Sequence, residues 1–411
     1  MFFKRIFTFI LALSFILPVS VYADVSQRNI NYDNIVTEYY SDDIYDDIIE
    51  TVAIPMASVP EINAKSAILM EASTGKVIYN KDENQKLPPA SITKIMTMLL
   101  IVEAIESKKI SFYDKVTASE HAASMGGSQI WLEVGETMTV HDLLKAVAVG
   151  SANDASVALA EHIAGSEEGF VAMMNQKAKD LKMENTNFTN ACGLDDDNLY
   201  TSAKDVAIMS RELISHDVIK QYTTIWMDTV RNETVQLVNT NKLVRFYGGA
   251  TGLKTGTTNK AGCCLSATAK RDGMELIAVI MGAESSNERF SNAKKLLDYG
   301  FANLCVFKTS DKVDYIKSIN VDKGQEKTVK LKYDKIENEL IKTENKAGLK
   351  VTSEVPKRIE APVNKNQKIG TVKVLLNDKV IRKYNICASE EVKRVDFVFS
   401  FLQLLKSMTV L

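Results

Sequence analysis

The sequence has few of the residues on which many hydrolases and metalloproteins depend. Its 411 residues include only five cysteines and four histidines. The cysteines form no C-x-x-C pair or other metal-ligand spacing, so the sequence predicts neither a disulfide framework nor a zinc site. The histidines are scattered, which argues against a histidine-dependent hydrolase. We therefore expect a reaction that needs no metal and no other cofactor.

Two further absences limit the partners. Lysine and arginine number 50 against 52 acidic residues, and no block of five or six basic residues occurs. This balance excludes a nucleic-acid surface as a partner. Neither terminal apolar run reaches the ~20 residues that cross a bilayer as a helix. With 45% hydrophobic and 25% charged residues, the composition is that of a globular protein, and the length allows two domains.

Residues 1–23 have the pattern of a secretory signal peptide. Lys4 and Arg5 precede an apolar run, and the small residues within 21–23 favour cleavage before Asp24. An uncleaved membrane anchor is the alternative interpretation. The pattern favours export, so we expect the protein outside the cytoplasm.

An acidic segment follows. Residues 33–50 carry seven acidic and no basic residues. Such a segment is too charged to bury a core, so we interpret 24–60 as a solvated acidic linker.

Strand patterns lie at both ends of the central region, with helical patterns between them. A hairpin is predicted around Thr74-Gly75, and strands return in GGATGLKTGTT, AGCCLSATAKR and MELIAVIMGAE. Apolar residues at helical spacing follow Pro88-Pro89. Further helices are predicted over 141–150, 153–165, 167–183, 202–215 and 288–304. The expected fold of 61–307 is α/β, an antiparallel sheet with a helical insert.

The C-terminal third has a different texture. Apolar and charged residues alternate through 308–390, which predicts a small all-β domain with one solvated face. The tail 391–411 predicts an amphipathic helix with Phe397, Phe401 and Leu405 on its apolar face. We interpret it as an anchor that lies in the membrane interface. The alternatives are a helix docked on the β-domain or on a dimer partner.

The segment PPASITKIMT suggests a catalytic pair. Ser91 and Lys94 are three residues apart at the start of an apolar helix, so their side chains share one face. A buried lysine can lose its proton and act as a base for the serine. The alternative is a serine that caps the helix. The same spacing recurs at Ser73…Lys76 and Ser291…Lys294, in a hairpin turn and on a charged helix face.

Two further motifs favour the catalytic interpretation. Ser151-Ala152-Asn153 lies in the break between two predicted helices, and Lys254-Thr255-Gly256-Thr257 leads a predicted strand. This ordered set of three motifs is the signature of the serine penicillin-recognising enzymes. Across 61–307 the chain resembles the D-alanyl-D-alanine carboxypeptidases, the low-molecular-weight penicillin-binding proteins of peptidase family S11. The resemblance implies a β-lactamase/transpeptidase-like domain.

The resemblance also implies a reaction. Ser91 would attack the carbonyl between the two D-alanines of a peptidoglycan stem peptide while Lys94 takes its proton. The terminal D-alanine would leave, and water would then release the acyl-enzyme. Backbone amides of Ser91 and Thr257 would hold the oxyanion. β-Lactam antibiotics would acylate the same serine.

The other matched residues are implied to move protons and to bind substrate. Ser151 would relay a proton to the leaving amine, and Asn153 would hold Lys94 and the substrate amide. Lys254 would supply the positive charge that keeps Lys94 neutral. Arg289 would contact the terminal carboxylate, the alternative being a surface arginine. The implied substrate-binding residues are Lys254, Thr255, Gly256, Thr257 and Arg289.

Three rival functions use the same features. A class A β-lactamase shares the motifs but needs a glutamate that activates water, and the available residues are Glu161, Glu167, Glu168 and Glu184. A non-catalytic peptidoglycan-binding protein could retain the fold. An endopeptidase that cleaves cross-links would use the same residues.

Overall fold

The computed structural model describes residues 59–408. The predicted signal peptide and almost all of the predicted acidic linker lie outside the described residues.

The described chain begins with strands and continues mainly as helices. In order, the first elements are β1 (Ser66–Glu71), β2 (Val77–Lys81), α1 (Lys94–Glu106), β3 (Lys115–Thr117), α2 (Glu120–Ala123), β4 (Thr137–Thr139), α3 (Val140–Lys145), α4 (Asn153–Ala164), α5 (Glu167–Asp180) and α6 (Ala203–Ser215). The next are α7 (Lys220–Thr223), β5 (Met227–Val230), β6 (Val235–Val238), α8 (Leu243–Phe246), β7 (Ala250–Thr258), β8 (Gly262–Arg271), β9 (Met274–Ala283) and α9 (Ser286–Asn303).

The opening hairpin and the three late strands form one sheet, as predicted. The strand order is β2-β1-β9-β8-β7, and every neighbouring pair is antiparallel. Helices cover both faces of the sheet. Side chains alternate across a strand, so neighbouring residues of β1 belong to different cores. Ile68 and Met70 of β1 contribute to the core that contains α1, α4 and α6. Ala67 and Leu69 contribute to the opposite core, which contains α9.

Helix α1 lies in the centre of the larger core. Nine consecutive residues from Lys94 to Val102 are buried, so the helix is surrounded on all sides. The helix predicted over 141–150 is α-helical only to Lys145 and continues as a π turn over Ala146–Gly150. Two small ribbons, β3–β4 and β5–β6, lie among the helices and were not predicted.

The C-terminal region is all-β up to its last helix. Its strands are β10 (Leu304–Phe307), β11 (Ser318–Asp322), β12 (Thr328–Tyr333), β13 (Glu339–Lys342), β14 (Leu349–Glu354), β15 (Arg358–Glu360), β16 (Lys368–Leu376) and β17 (Lys379–Ala388). Six of them form a sheet in the order β14-β16-β17-β12-β11-β15. β10 pairs with β13 in a separate ribbon. Burial alternates along β11, as the period-two pattern predicts.

The final element is α10 (Phe397–Met408), the helix predicted for the tail. Its large apolar side chains are exposed, including Phe397, Phe401 and Leu405. A docked helix would bury one face, so docking on the β-domain is not observed. No helix within 59–408 is both long and apolar enough to cross a membrane.

Candidate active site

Ser91 lies in a tight turn at the N-terminal end of α1. Residues Ala90–Thr93 form a 3-10 turn that follows Pro89 and leads directly into the helix. The serine therefore starts the helix, as predicted, but the capping interpretation is wrong. Neither the turn nor the helix has a side-chain cap hydrogen bond, and the residues at the two cap positions are Pro89 and Thr93.

The Lys94 ammonium group is buried among oxygen acceptors. Its Nζ donates to Ser91 Oγ at 3.0 Å, to Asn153 Oδ1 at 2.6 Å and to the Cys192 carbonyl at 2.6 Å. Burial lowers the pKa of Lys94 to about 8, although the Cys192 thiol and the Asp154 carboxylate act in the opposite direction. About a tenth of the Lys94 side chains are therefore neutral at pH 7, and a neutral amine can accept the serine proton.

Ser151 and Asn153 lie where the π turn meets α4. Ser151 has a left-handed backbone conformation, with φ of 62°, which breaks the helix and separates the π turn from α4. Asn153 is the first residue of α4, and its Nδ2 donates to the Gly126 carbonyl at 2.6 Å. The amide is thereby oriented with its oxygen towards Lys94.

Strand β7 brings Lys254 to the other side of the site. Its buried Nζ donates to Ser151 Oγ at 2.9 Å and to the Thr255 carbonyl at 3.1 Å. The pKa of Lys254 lies well below its ordinary value, first because of burial and then because of the nearby Lys94 and Arg289 charges. The two lysines therefore disfavour each other's protonated forms.

Gly256 allows β7 to approach the turn that contains Ser91. A Cβ atom at this position would lie 2.8 Å from the Pro89 carbonyl oxygen and 3.0 Å from the backbone nitrogens of Ser91 and Ile92. Contacts this short do not occur for real side chains, so glycine is required. The close approach places the backbone of the Lys-Thr-Gly-Thr segment beside the Ser91 amide.

Arg289 lies beneath this segment. Its guanidinium donates to Thr257 Oγ1 at 2.8 Å and to the Gly256 carbonyl at 3.2 Å, and the residue is only 8% exposed. The alternative interpretation as a surface arginine is therefore wrong. Thr255 Oγ1 donates to Thr240 Oγ1 at 2.7 Å, which fixes the hydroxyl one residue before Gly256. All nine predicted site residues are thus brought into one region by α1, the turn before it, α4, β7 and α9.

Sequence reasoning missed the loop that supplies the Cys192 carbonyl. Asn190 Oδ1 accepts hydrogen bonds from the backbone nitrogens of Cys192, Gly193 and Leu194, at 2.6–3.2 Å. Gly193 has a φ of +86°, and a Cβ there would overlap the Ala90 carbonyl oxygen. The Asn-x-x-Gly spacing is a turn signal that could have revealed this loop, but it does not show what the loop contacts.

A second missed residue is Asp154, which is fully buried. Its carboxylate accepts hydrogen bonds from the backbone nitrogens of Ile130, Leu132 and Ala155. The same segment provides the Gly126 and Ser128 carbonyls that bind Asn153. Asp154 therefore fixes the segment that orients the side-chain amide of Asn153.

The competing motifs and carboxylates lie in other surroundings. Ser73 Oγ donates to Glu71 in the β1–β2 turn, and Lys76 pairs with Glu339 at 3.2 Å. Glu167 accepts the Ala191 backbone amide at 2.8 Å and pairs with His121. Within the described residues, no hydrogen bond connects the four candidate β-lactamase glutamates with the Ser91–Lys94 pair. These four are Glu161, Glu167, Glu168 and Glu184.

Comparison with known proteins identifies the family. Residues 54–285 match the family model described as D-alanyl-D-alanine carboxypeptidase, and residues 301–394 match the C-terminal domain of penicillin-binding protein 5. D-alanyl-D-alanine carboxypeptidase DacF of Bacillus subtilis is 44% identical over 339 residues, which cover 82% of this chain and 87% of that protein. The chain belongs to the D-alanyl-D-alanine carboxypeptidase family.

Solved structures agree with the family assignment. Penicillin-binding protein 5 from Haemophilus influenzae superposes with a TM-score of 0.71 at 33% identity, covering 82% of this chain and 100% of that chain. Penicillin-binding protein D2 from Listeria monocytogenes, solved in an ampicillin-bound form, gives a TM-score of 0.55 at 30% identity. That match covers 60% of this chain and 100% of the Listeria chain. The predicted α/β fold with a C-terminal all-β region is therefore confirmed.

Proposed function

We propose that this chain is a serine-type D-Ala-D-Ala carboxypeptidase that removes the terminal D-alanine from peptidoglycan stem pentapeptides. The observation that carries the proposal is the contact of 3.0 Å between Lys94 Nζ and Ser91 Oγ in a buried site. Family membership supports the substrate, and the geometry supports the way in which the reaction starts. β-Lactams acylate the same serine.

Acylation begins at Ser91. Lys94 in its neutral form accepts the serine proton, and Oγ attacks the carbonyl between the two D-alanines. Backbone amides of Ser91 and Thr257 bind the developing oxyanion. The close approach of Gly256 to the Ser91 nitrogen supports this pairing, because it brings the two segments together.

Collapse of the tetrahedral intermediate expels the terminal D-alanine. Its amine needs a proton, and Ser151 relays one to it. Asn153 holds Lys94 through its oxygen while its own amide is fixed by Gly126, which keeps the base aligned. Water then attacks the acyl-enzyme, and the shortened peptide leaves.

The substrate carboxylate sets the charge of the two lysines. It binds beside Lys254, Thr255 and Thr257, with Arg289 held against Thr257. A negative charge next to Lys254 favours its ammonium form and raises its pKa. The charged Lys254 then disfavours protonation of Lys94, which stays neutral and can act as a base. In this way the substrate that is to be cleaved prepares the base that activates the nucleophile.

Release of a β-lactam is slow in this proposal. A class A β-lactamase needs a glutamate that activates the deacylating water, and one candidate, Glu167, is engaged by Ala191 and His121. Rapid turnover of nitrocefin would contradict the carboxypeptidase function and favour the β-lactamase.

The enzyme acts outside the cytoplasm, where peptidoglycan is found. We propose that a signal peptide over 1–23 directs export and that α10 attaches the protein peripherally to the membrane. The apolar face of α10 supports the attachment, since its large side chains are exposed.

Intact mass of the soluble domain after incubation with penicillin tests the proposal. We expect a stable adduct on the parent, none on Ser91→Ala, and an unchanged adduct on Ser291→Ala, whose serine is exposed on α9. Absence of an adduct with intact antibiotic would favour the non-catalytic binding protein. Absence of an adduct with consumed antibiotic would indicate a β-lactamase.

A peptide assay separates the two remaining peptidase functions. The carboxypeptidase releases free D-alanine from a pentapeptide substrate. Cleavage of cross-linked dimers without such release would indicate the endopeptidase instead.

A further inference from the structure

A second group of ligand-type side chains lies away from the active site. Glu103 near the end of α1, Glu212 on α6 and His216 just after α6 each offer one ligand atom, and these atoms lie within 4.8 Å of one another. Glu103 lies more than a hundred residues before Glu212 and His216 in the chain. The fold therefore brings together an imidazole and two carboxylates.

The imidazole of His216 is arranged as metal-binding imidazoles are. Its Nδ1 lies 2.7 Å from Glu106 Oε2, so the Nδ1 proton is donated to a carboxylate. Its Nε2 is buried and has no hydrogen-bond partner in the described part of the chain. A buried nitrogen without a partner is unusual. A carboxylate on one ring nitrogen leaves the lone pair of the other for a metal, which is the common arrangement around metal-bound histidines.

We propose that Glu103, Glu212 and His216 bind a divalent transition-metal ion of the Zn²⁺ type. Imidazole nitrogen and carboxylate oxygen are both zinc ligands, and water would complete a tetrahedral set. Glu106 would orient the imidazole from outside. All three ligand residues are partly exposed, so an ion can enter from solvent.

The site has a structural role and takes no part in the peptidase reaction. Glu103 is nine residues after Lys94 in α1, which at 1.5 Å per residue is about 13 Å along the helix. A metal here would connect the C-terminal ends of α1 and α6. Helix α1 follows directly on the turn that contains Ser91, so the ion would stabilise an element on which the active site is built.

Lys177 provides a competing interpretation that can be tested. Its ammonium group on α5 hydrogen-bonds Glu103 Oε1. A network of ion pairs alone would explain the carboxylates, although it gives no partner to His216 Nε2. A metal would take the second oxygen of Glu103, and the lysine charge would weaken its binding. Lys177→Met should therefore strengthen metal binding, whereas it would create none if the cluster served only as an ion-pair network.

Calorimetric titration of the purified full chain with ZnCl₂ tests the site. We expect one saturable site, with affinity reduced on the order of 100-fold in His216→Ala and Glu212→Gln. His162→Ala is the matched control, because His162 is exposed on α4. Glu212→Gln keeps the side-chain shape, so it remains informative if His216→Ala does not fold. Penicillin acylation by Ser91 should be unchanged in Glu212→Gln.

Two outcomes would overturn the proposal. One is the absence of saturable zinc binding to the parent and to Lys177→Met. The other is binding of equal affinity in the parent and in both ligand variants, which would assign the ion to the free cysteines or another surface group. Zinc should also raise the thermal midpoint of the parent and leave that of Glu212→Gln unchanged, because an ion stabilises only a folded state that binds it.

Discussion

The two buried lysines illustrate how residues of the same type acquire different roles. Both have lowered pKa values because they are removed from water, and the charge of Lys94 further lowers the pKa of Lys254. They differ in their partners. Lys94 contacts Ser91, the proposed nucleophile, whereas Lys254 contacts Ser151 and lies on β7, which we propose receives the substrate carboxylate. This difference in contacts is the reason why we propose Lys94, and not Lys254, as the base.

The pKa of Lys94 predicts the pH dependence of acylation. Only the neutral amine accepts a proton, so the rate of penicillin acylation should rise about tenfold per pH unit below pH 8 and level off above it. Rates between pH 6 and 9 measure this profile. Lys94→Arg cannot lose its proton and should be inactive throughout. A rate that is independent of pH over this range would exclude Lys94 as the base.

The close approach at Gly256 predicts that Gly256→Ala loses activity, although this substitution removes no charged group. In Gly256→Ala the new Cβ would push β7 away from Ser91, and a displacement of about 1 Å costs on the order of 100-fold in rate. The acylation rate should fall by that factor. Gly248→Ala is the control, since its Cβ would meet nothing within 4 Å. Equal rates in the two variants would show that the close approach does not matter.

At the scale of elements, patterns with a strong period were predictable. The buried helix after Pro88-Pro89, the hairpin around Thr74-Gly75 and the three late strands are confirmed, because each has clear apolar periodicity and glycine or proline at its ends. Register and sheet order needed the structure, since sequence does not state which strands pair.

The β5–β6 hairpin shows why other elements were missed. Its turn has positive φ values at Arg231, Asn232 and Glu233, which are positions where a glycine normally signals the turn. The interpretation of Ser91 as a helix cap was wrong for a related reason. A serine at a helix start has the composition of a cap, but its backbone turn and the acceptors around Lys94 depend on distant segments. The cluster of Glu103, Glu212 and His216 was also missed, because Glu103 is distant in sequence from the other two and none of the three stands out in its own segment.

Asp154 links two elements, so its loss should affect both stability and rate. Asp154→Ala leaves the Ile130 and Leu132 amides without their carboxylate, and we expect the free energy of unfolding to fall by about 2–3 kcal/mol. Acylation should slow as well, because the released segment binds Asn153. Urea denaturation and the penicillin assay measure the two effects. Glu184→Ala, at an exposed position, should change stability by less than ~0.5 kcal/mol.

At the scale of the whole molecule, the proposed active site and the proposed membrane-binding helix lie in different regions of the chain. The residues that carry the proposed reaction lie between the sheet and the helical insert, whereas the β-rich region ends in α10. An ion pair connects the two parts, since Glu339 of β13 contacts Lys76 of the β1–β2 turn. Within the β-rich region, Glu339 also contacts Arg382 of β17. The β-rich region therefore joins the enzyme domain to the helix that we propose to lie in the membrane.

The exposed face of α10 predicts membrane binding that depends on its apolar residues. Phe401→Asp with Leu405→Asp places two charges on that face, and each lost apolar contact is worth about 1.5–3 kcal/mol if fully buried. Binding to vesicles of phosphatidylglycerol and phosphatidylethanolamine, measured by co-sedimentation, should weaken more than tenfold. Penicillin acylation in solution should be unchanged, because α10 is remote from Ser91 in the chain and contributes nothing to the site.

The matched control places the same two charges on the other side of the helix. Ser400→Asp with Gln403→Asp should retain most of the vesicle binding, since the apolar face is intact. Equal loss in both variants would indicate that charge, and not burial of the apolar face, governs attachment. The parent protein could instead form a dimer and not bind vesicles. If only the Phe401 and Leu405 variant then lost the dimer, the apolar face would be assigned to a second copy of the chain. Vesicle binding and oligomeric state, measured on the same pair of variants, therefore distinguish a lipid partner of the apolar face from a protein partner.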